Sequence, residues 1–351
     1  MTRLVFVTQQ VDPAHPVLGA AVPQIAALAA RVDEVAVLTD TAVEGALPPN
    51  CRVREFAAGT RAGRGVRFER ALLAELSRGR RDAALVAHMC PIYAILAAPL
   101  VRPLGWPLVL WYAHWRPTPA LRLAERLSTA VVSTHRLSLP IESRKLRPIG
   151  QAIDVAAFPC TDGRTGQGPL RLLALGRYSV VKRYDVVVRA VAQARADGVE
   201  VELDVHGPCA TPAEEEHRAE LERLVGELGV ARGVRLGDGV PRAAVPELLA
   251  GADALVNATV GGSSDKALFE ACASCVPVAA SNPVVADLLP EELRFVEGDV
   301  AGLAATIGGL ARTAPAQRRA LGRELRARVE AGHSVDTWAD GVLRAAGFRR
   351  G

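Results

Sequence analysis

Apolar and polar positions along this chain fall into two alternating rhythms. Continuous apolar runs at 4–7, 35–38, 83–87, 107–112 and 130–133 are separated by longer stretches, such as 23–31 and 67–77, where apolar residues return every three or four positions. The runs read as strands buried on both faces and the stretches as helices, so the rhythm predicts a parallel sheet. Residues 160–169, CTDGRTGQGP, have no period and are rich in glycine and polar residues, which marks a linker. Beyond it the rhythm restarts with strand 170–175, helix 185–196 ended by Gly198, and strand 201–205 in strict alternation. Thr211-Pro-Ala-Glu214 then forms a capping box with proline at the first helical position. Leu221, Leu224, Val225 and Leu228 supply that helix's buried stripe and Gly229 stops it. Strands at 234–236, 254–257 and 277–280 alternate with helices at 243–250 and around Glu270.

The chain therefore reads as an α/β protein with two Rossmann-like halves: an N-terminal domain over 1–160, a linker over 161–169 and a C-terminal domain over 170–333. A last helical segment, 334–351, carries Trp338 as an anchor and is expected to pack back on the N-terminal domain. A length of 351 residues exceeds what one core usually serves, in keeping with two domains. Half the residues are hydrophobic but only 4% aromatic, so alanine, valine and leucine must fill tightly packed layers.

No run reaches the roughly 18 uninterrupted apolar residues that a spanning helix needs. The N-terminus breaks at Gln9 and Gln10, too early for a signal sequence, so the expected compartment is the cytoplasm, with contact at the inner membrane face as the alternative. Six scattered cysteines give no disulfide framework; Cys272-x-x-Cys275 resembles half a zinc site and is read as packing, with redox or metal duty as the other option.

The net charge of +4 conceals an asymmetry. Residues 1–168 hold 20 Lys/Arg against 13 Asp/Glu, and Arg61, Arg64, Arg67, Arg70, Arg78, Arg80 and Arg81 supply much of that excess. The cluster reads either as a solvated face or as attraction to an anionic membrane surface or acidic acceptor. It lacks interleaved aromatics and any reading module, which argues against nucleic acid.

Two segments carry the candidate chemistry: 173–185, LALGRYSVVKRYD, and 264–280, SDKALFEACASCVPVAA. Only Lys145, Lys182 and Lys266 are lysines among 42 basic residues, and two of the three lie here. Arg177 and Lys182 flank the turn after a strand, at the usual ligand edge of a parallel sheet. Lys266 opens a helix, where the macrodipole disfavours a cation. A diphosphate held by backbone N–H groups of Ser264 to Ala267 would offset that charge, as would Asp265 acting as N-cap or counter-ion. Glu270, four residues on, either pairs with Lys266 or accepts ribose hydroxyls. Trp106, Trp111, Tyr112 and Trp115 surround His114 and form either a core patch or a sugar-facing wall. Gly19, before the first helix, either admits a ligand to the backbone or simply completes a turn. Neither half has the G-x-G-x-x-G fingerprint after its first strand, nor is there a P-loop, which disfavours nicotinamide, flavin and P-loop NTPase chemistry.

These motifs together resemble the retaining glycosyltransferases of family 4. The likeness rests on Gly176-Arg177 through Lys182-Arg-Tyr-Asp185, His206-Gly-Pro208, Val234-Arg-Leu-Gly237, the 248–257 stretch, Glu270-Ala through Pro277-Val, Ile149 through Asp154 with Phe158, and Trp111-Tyr-Ala-His114. The resemblance implies the GT-B architecture, two Rossmann-like domains with parallel sheets facing a central cleft. It implies a nucleoside-diphosphate-sugar donor, UDP- or GDP-linked, and no metal or other cofactor. Arg177 and Lys182 would hold the diphosphate, Gly207 and Leu236 the base, and Ser264, Asp265, Lys266, Ala267 and Glu270 the rest of the donor. His114 would join the two cations in the catalytic set, and the acceptor would lie near Gly19. That acceptor stays open between a lipid-linked carrier, a polysaccharide end and a small natural product. Gly262 stands where the family commonly has a glutamate, and Asp265-Lys266 follows instead, as in a subgroup of the family. A sugar-nucleotide epimerase or a non-catalytic nucleotide-sugar binder are the rival readings.

Overall fold

A computed structural model describes residues 2–15, 18–79, 82–114, 116–160, 168–262 and 264–348. It divides into two compact units, Met1–Ala152 with Gly332–Gly351, and Ile153–Ala331. The expected linker lies outside the described residues except for Gly168 and Pro169.

The first unit is built on β1 (Arg3–Val7), β2 (Gln10–Val11), α1 (Ala21–Ala29), β3 (Glu34–Thr39), β4 (Thr41–Ala42), β5 (Cys51–Glu55), α2 (Arg61–Leu76), β6 (Ala83–His88), α3 (Pro91–Val101), β7 (Leu108–Trp111), α4 (Pro119–Leu127), β8 (Ala130–Ser133) and β9 (Leu146–Pro148). Seven strands form one parallel sheet in the order β5-β3-β1-β6-β7-β8-β9. Arg3 lies in register with both Glu34 and Ala83. Because both faces of the inner strands are covered, alternate residues enter different cores. Val5, Val7, Leu85 and Leu110 meet α2, α3 and α4, whereas Leu4, Phe6, Val86 and Val109 meet α1 and the chain's last helix, Val335–Ala345. Arg31 at the end of α1 reaches Asp336 at 2.8 Å and Asp340 at 3.0 Å on that helix.

The second unit contains β10 (Leu170–Leu175), α5 (Tyr184–Ala196), β11 (Val201–His206), α6 (Pro212–Glu227), β12 (Val234–Gly237), α7 (Val245–Ala250), β13 (Ala254–Asn257), α8 (Lys266–Ala273), β14 (Val278–Ala280), α9 (Val300–Arg312) and α10 (Pro315–His333). Its parallel strands run β12-β11-β10-β13-β14. The direction of winding reverses between β10 and β13, which makes the carboxyl ends of those two strands a topological switch point, the usual ligand edge of such a sheet. The division between units falls before the boundary expected at 160. Ile153 and Phe158 are 1% exposed and belong to the second core, and Arg326 donates to the Phe158 carbonyl at 2.6 Å.

The cysteines depart from expectation. Cys160 is disulfide-bonded to Cys275, 115 residues away, while Cys272 is a separate buried thiol, so the CxxC spacing builds neither a metal site nor a local redox pair. The helix end explains the divergence. Cys275 has φ of 60°, the left-handed position after α8, and Val276 N–H donates to the Ala271 carbonyl at 2.9 Å, completing a Schellman turn that directs successive side chains apart. Denatured without reductant, the protein is expected to release four thiols, and six after reduction. Six at the outset would reject the pairing. Disulfides persist in oxidising compartments, so the same titration bears on the cytoplasmic expectation.

Candidate functional site

Of the candidate residues of the second unit, Arg177 and Lys182 follow β10 and Ser264, Asp265, Lys266, Ala267 and Glu270 follow β13, on the two sides of the switch point, whereas Gly207 follows β11 and Leu236 lies on the edge strand β12. Gly176 leaves β10 with φ of 138°, and a Cβ there would lie 2.6 Å from Lys182 Cε, so the absence of a side chain lets Lys182 fold back across the turn. Gly207 serves the neighbouring strand end: its Cβ would fall 1.8 Å from the Gly176 carbonyl oxygen. The close approach that Gly207 permits is thus to Gly176. The turns are fastened to each other by Val260 N–H, which donates to the Val181 carbonyl at 3.0 Å.

Lys182 pairs with the Asp265 carboxylate, and both side chains are largely buried. The same Asp265 oxygen accepts from Asn257 Nδ2 at 2.6 Å and Thr259 Oγ1 at 3.1 Å. Burial alone would raise the Asp265 pKa, but the Lys182 charge and the three donors outweigh it and hold the carboxyl below its ordinary value. Asp265 occupies the N-cap position of α8 without capping it, because its side chain is committed to Lys182. It is therefore neither cap nor direct ion-pair partner of Lys266. The first turn of α8 receives no side-chain hydrogen bond from its N-cap, which is the condition under which a helix start accepts an anion.

Lys266 is the first residue of α8 and makes no salt bridge among the described residues. Desolvation pulls its pKa down from 10.5 to about 8; the Glu270 charge opposes the shift and the Arg242 charge adds to it. Glu270 is 4% exposed and sits one turn further along. Its carboxylate takes Arg242 Nη2 at 2.9 Å, so the direct pair expected between Glu270 and Lys266 gives way to one with Arg242. Sequence reading passed over Arg242, which sits in the short turn Arg242–Ala244, 28 residues from its partner.

Arg177 is more than half exposed and binds Glu214 at 2.9 Å. Glu214 also accepts Ala210 N–H at 2.7 Å, while the Thr211 hydroxyl accepts Glu214 N–H at 3.3 Å, so the capping box has been drawn into the site. Arg177 and Lys182 therefore each carry a carboxylate partner instead of forming a bare cationic pair. Leu236 is half-buried, with its carbonyl accepting Arg218 Nη2 at 2.9 Å. The next carbonyl, of Gly237, accepts the Tyr178 hydroxyl at 2.8 Å. Ser264 and Ala267, at intermediate burial, stand on either side of Lys266 at the start of α8.

In the first unit, Trp106, Trp111 and Tyr112 are 2%, 3% and 6% exposed, which removes them as a sugar-facing wall. Trp111 ends β7, a strand covered on both faces, and Trp106 and Tyr112 lie just outside that strand in the core on its other side. Trp111 meets Trp338 edge-on at 5.6 Å. Trp115 lies outside the described residues. His114 is exposed beside them, and its Nδ1 accepts Arg116 N–H at 3.1 Å, which places the ring proton on Nε2. Partial burial, with Arg116 nearby, lowers its pKa. Gly19 lies in the turn Leu18–Ala20; a Cβ there would lie 2.8 Å from the Pro13 carbonyl oxygen, so its own loop already requires a glycine.

No curated protein matches this sequence. Among solved structures, a sucrose-phosphate synthase from Thermosynechococcus elongatus is similar over 98% of each chain, with a TM-score of 0.77 and 18% identity. Anabaena HepE in complex with UDP and glucose covers 99% of this chain and 100% of its own, with a TM-score of 0.73 and 16% identity. The galactosyltransferase WaaB of the lipopolysaccharide outer core covers 98% and 99%, with a TM-score of 0.69 and 13% identity. These likenesses establish the fold as the GT-B arrangement of two Rossmann-like sheets. Residues 169–313, which include the switch point between β10 and β13, match the family model of glycosyl transferases group 1, so the second unit carries a glycosyl transferase group 1 domain.

Proposed function

We propose that the chain is a retaining, metal-independent glycosyltransferase that moves a hexose-type sugar from a UDP- or GDP-sugar to an acceptor held on the N-terminal unit. The observation that carries this reading is Lys266: a partly buried cation at an uncapped helix start, at the switch point of a sheet within the matched domain. The uridine complexes of Anabaena HepE support a UDP-linked donor.

In this reading the diphosphate sits on the first N–H groups of α8 and on Lys266, with Lys182 and Arg177 on its other side. Glu270 keeps one oxygen on Arg242 and offers the other to the ribose hydroxyls. The bond between the sugar's anomeric carbon and the diphosphate oxygen breaks with its electron pair going to the diphosphate, whose growing charge these groups stabilise. The acceptor hydroxyl bonds to the same face of the carbon, and its proton passes to the departing phosphate oxygen. His114 would donate a hydrogen bond from its Nε2–H to a hydroxyl of the transferred sugar, with the acceptor near Gly19. Protein cations neutralise the phosphates, so no metal ion enters the scheme.

The test is thermal melting with UDP-, GDP-, ADP- and TDP-sugars. A donor at about 100 times its Kd adds roughly 2.7 kcal/mol, a rise of about 5–10 °C for a unit of this size. Unchanged melting across all four rejects a nucleotide-sugar donor. Inverted anomeric configuration in the product rejects retention, and activity lost to a chelator and restored by a divalent ion rejects metal independence.

A further inference from the structure

On the first unit, α3 packs between α2 and α4 on one side of the sheet. Its sequence, PIYAILAAPLV, has no charged side chain, and its one polar side-chain group belongs to buried Tyr93. An outer-layer helix normally turns polar residues to water; one that is apolar all round needs another apolar neighbour. Here Ile92 is 49% exposed, Pro99 is exposed, and Leu96 and Leu100 are only partly covered. The flanking helices extend the same surface. Val66 and Leu73 on α2 and Leu123 on α4 are 53%, 49% and 44% exposed.

The charge around this apolar centre is predominantly positive. Arg61, Arg67 and Arg70 on α2 and Arg122 and Arg126 on α4 are exposed, and Arg61, Arg70, Arg122 and Arg126 make no ion pair among the described residues. Two of the three carboxylates of these helices are withdrawn, Glu75 being buried with Arg54 and Arg78 and Glu125 taking the Ser143 hydroxyl at 2.6 Å, which leaves the partly buried Glu69 as the one facing the rim arginines. A freely solvated surface mixes both signs, and a large apolar patch on it marks an interaction site.

We propose that the outer face of α2, α3 and α4 docks on an anionic lipid surface, with Ile92, Val66, Leu73 and Leu123 entering the headgroup boundary and the arginines resting on lipid phosphates. Apolar centre and cationic rim are the two terms of interfacial binding. A second copy of the chain is disfavoured because a two-fold interface would face these unpaired arginines with themselves. Nucleic acid is disfavoured because the face has no exposed aromatic for bases to stack on. The docking stands apart from the donor site, since it is read by binding alone.

The test is co-sedimentation of the whole chain with phosphatidylcholine vesicles, pure or containing about one third phosphatidylglycerol. Binding is expected to the mixed vesicles only, and to fall at least tenfold between about 0.05 and 0.5 M salt. Each arginine near such a surface is worth about fivefold in partitioning, so Arg70→Gln with Arg122→Gln is expected to lower it about 25-fold. Ile92→Asn, with every charge intact, is expected to lower it about fivefold. Arg189→Gln with Arg323→Gln, exposed arginines of the second unit, is expected to leave it unchanged. Unaltered melting temperatures confirm that each variant is folded. Absent binding, equal binding to both vesicles, or loss with the second-unit pair overturns the proposal. So does wild-type binding by Ile92→Asn, which would reduce the face to a cation patch for any polyanion.

Discussion

Replacing Lys266 with methionine is expected to stabilise the C-terminal unit by about 3 kcal/mol at pH 7 while abolishing nucleoside diphosphate binding. A fall of the lysine pKa from 10.5 to about 8 measures how much the folded protein disfavours the ammonium, at about 1.4 kcal/mol per unit. Desolvation is the main cause, and the positive start of α8 acts in the same direction. Methionine matches the apolar stem and leaves no charge to bury. Wild-type stability should be lowest, with respect to this group, at and below pH 7, where the lysine is charged in both states. Between about 8 and 10.5 the unfolded chain binds the extra proton, so stability rises with pH and the penalty is gone above that window. Denaturant unfolding at pH 7 and pH 10 reads both quantities, and the methionine variant should lack the rise. A bound diphosphate reverses the preference by favouring the ammonium, so wild-type UDP affinity should weaken up to tenfold per pH unit above about 8. A methionine variant that is less stable, or that still binds UDP as the wild type does, would remove Lys266 from the site.

How far these features were legible in the sequence follows from how local they are. The strand and helix rhythm is fixed by neighbours a few residues apart, and the sheet of the second unit follows it strand for strand. Thr211 and Glu214 cap α6 for the same reason, and the place of Lys266 at a helix start is visible in its own flanks. What stayed hidden depends on long-range partners. Asp265 reads locally as an N-cap, yet its oxygen is taken by a lysine 83 residues away. Glu270 reads as the partner of a lysine one turn back, until Arg242 arrives from another loop. The Cys272-x-x-Cys275 spacing suggested a joint role that a left-handed residue at the helix end undoes. The aromatic cluster around His114 kept two readings open because a strand covered on both faces buries whatever side chains it carries.

Lys182 illustrates the consequence of such a hidden partner, because Lys182→Ala is expected to destabilise the C-terminal unit by about 3–5 kcal/mol before any effect on the donor can be read. Removing one member of a buried pair leaves the other charge uncompensated. Asp265 would keep its donors from Asn257 and Thr259 but lose its counter-charge, and its melting transition should fall by about 10 °C. Adding Asp265→Asn removes the stranded charge while preserving an oxygen for those two donors, so the double variant should recover most of the loss. The pH profile separates this from a simple packing defect. The wild-type Asp265 pKa is depressed, so its contribution is present above about pH 4, the unfolded carboxylate range, and is lost as pH falls through the lower folded value. The double variant should lack that acid-side loss. Donor affinity provides a second separation: Lys182 is already neutralised by Asp265, whereas Lys266 has no salt bridge among the described residues, so the folded double variant should lose less UDP affinity than Lys266→Met. A Lys182→Ala protein as stable as the wild type, or a double variant less stable than the single, would show that the pair does not hold these two turns together.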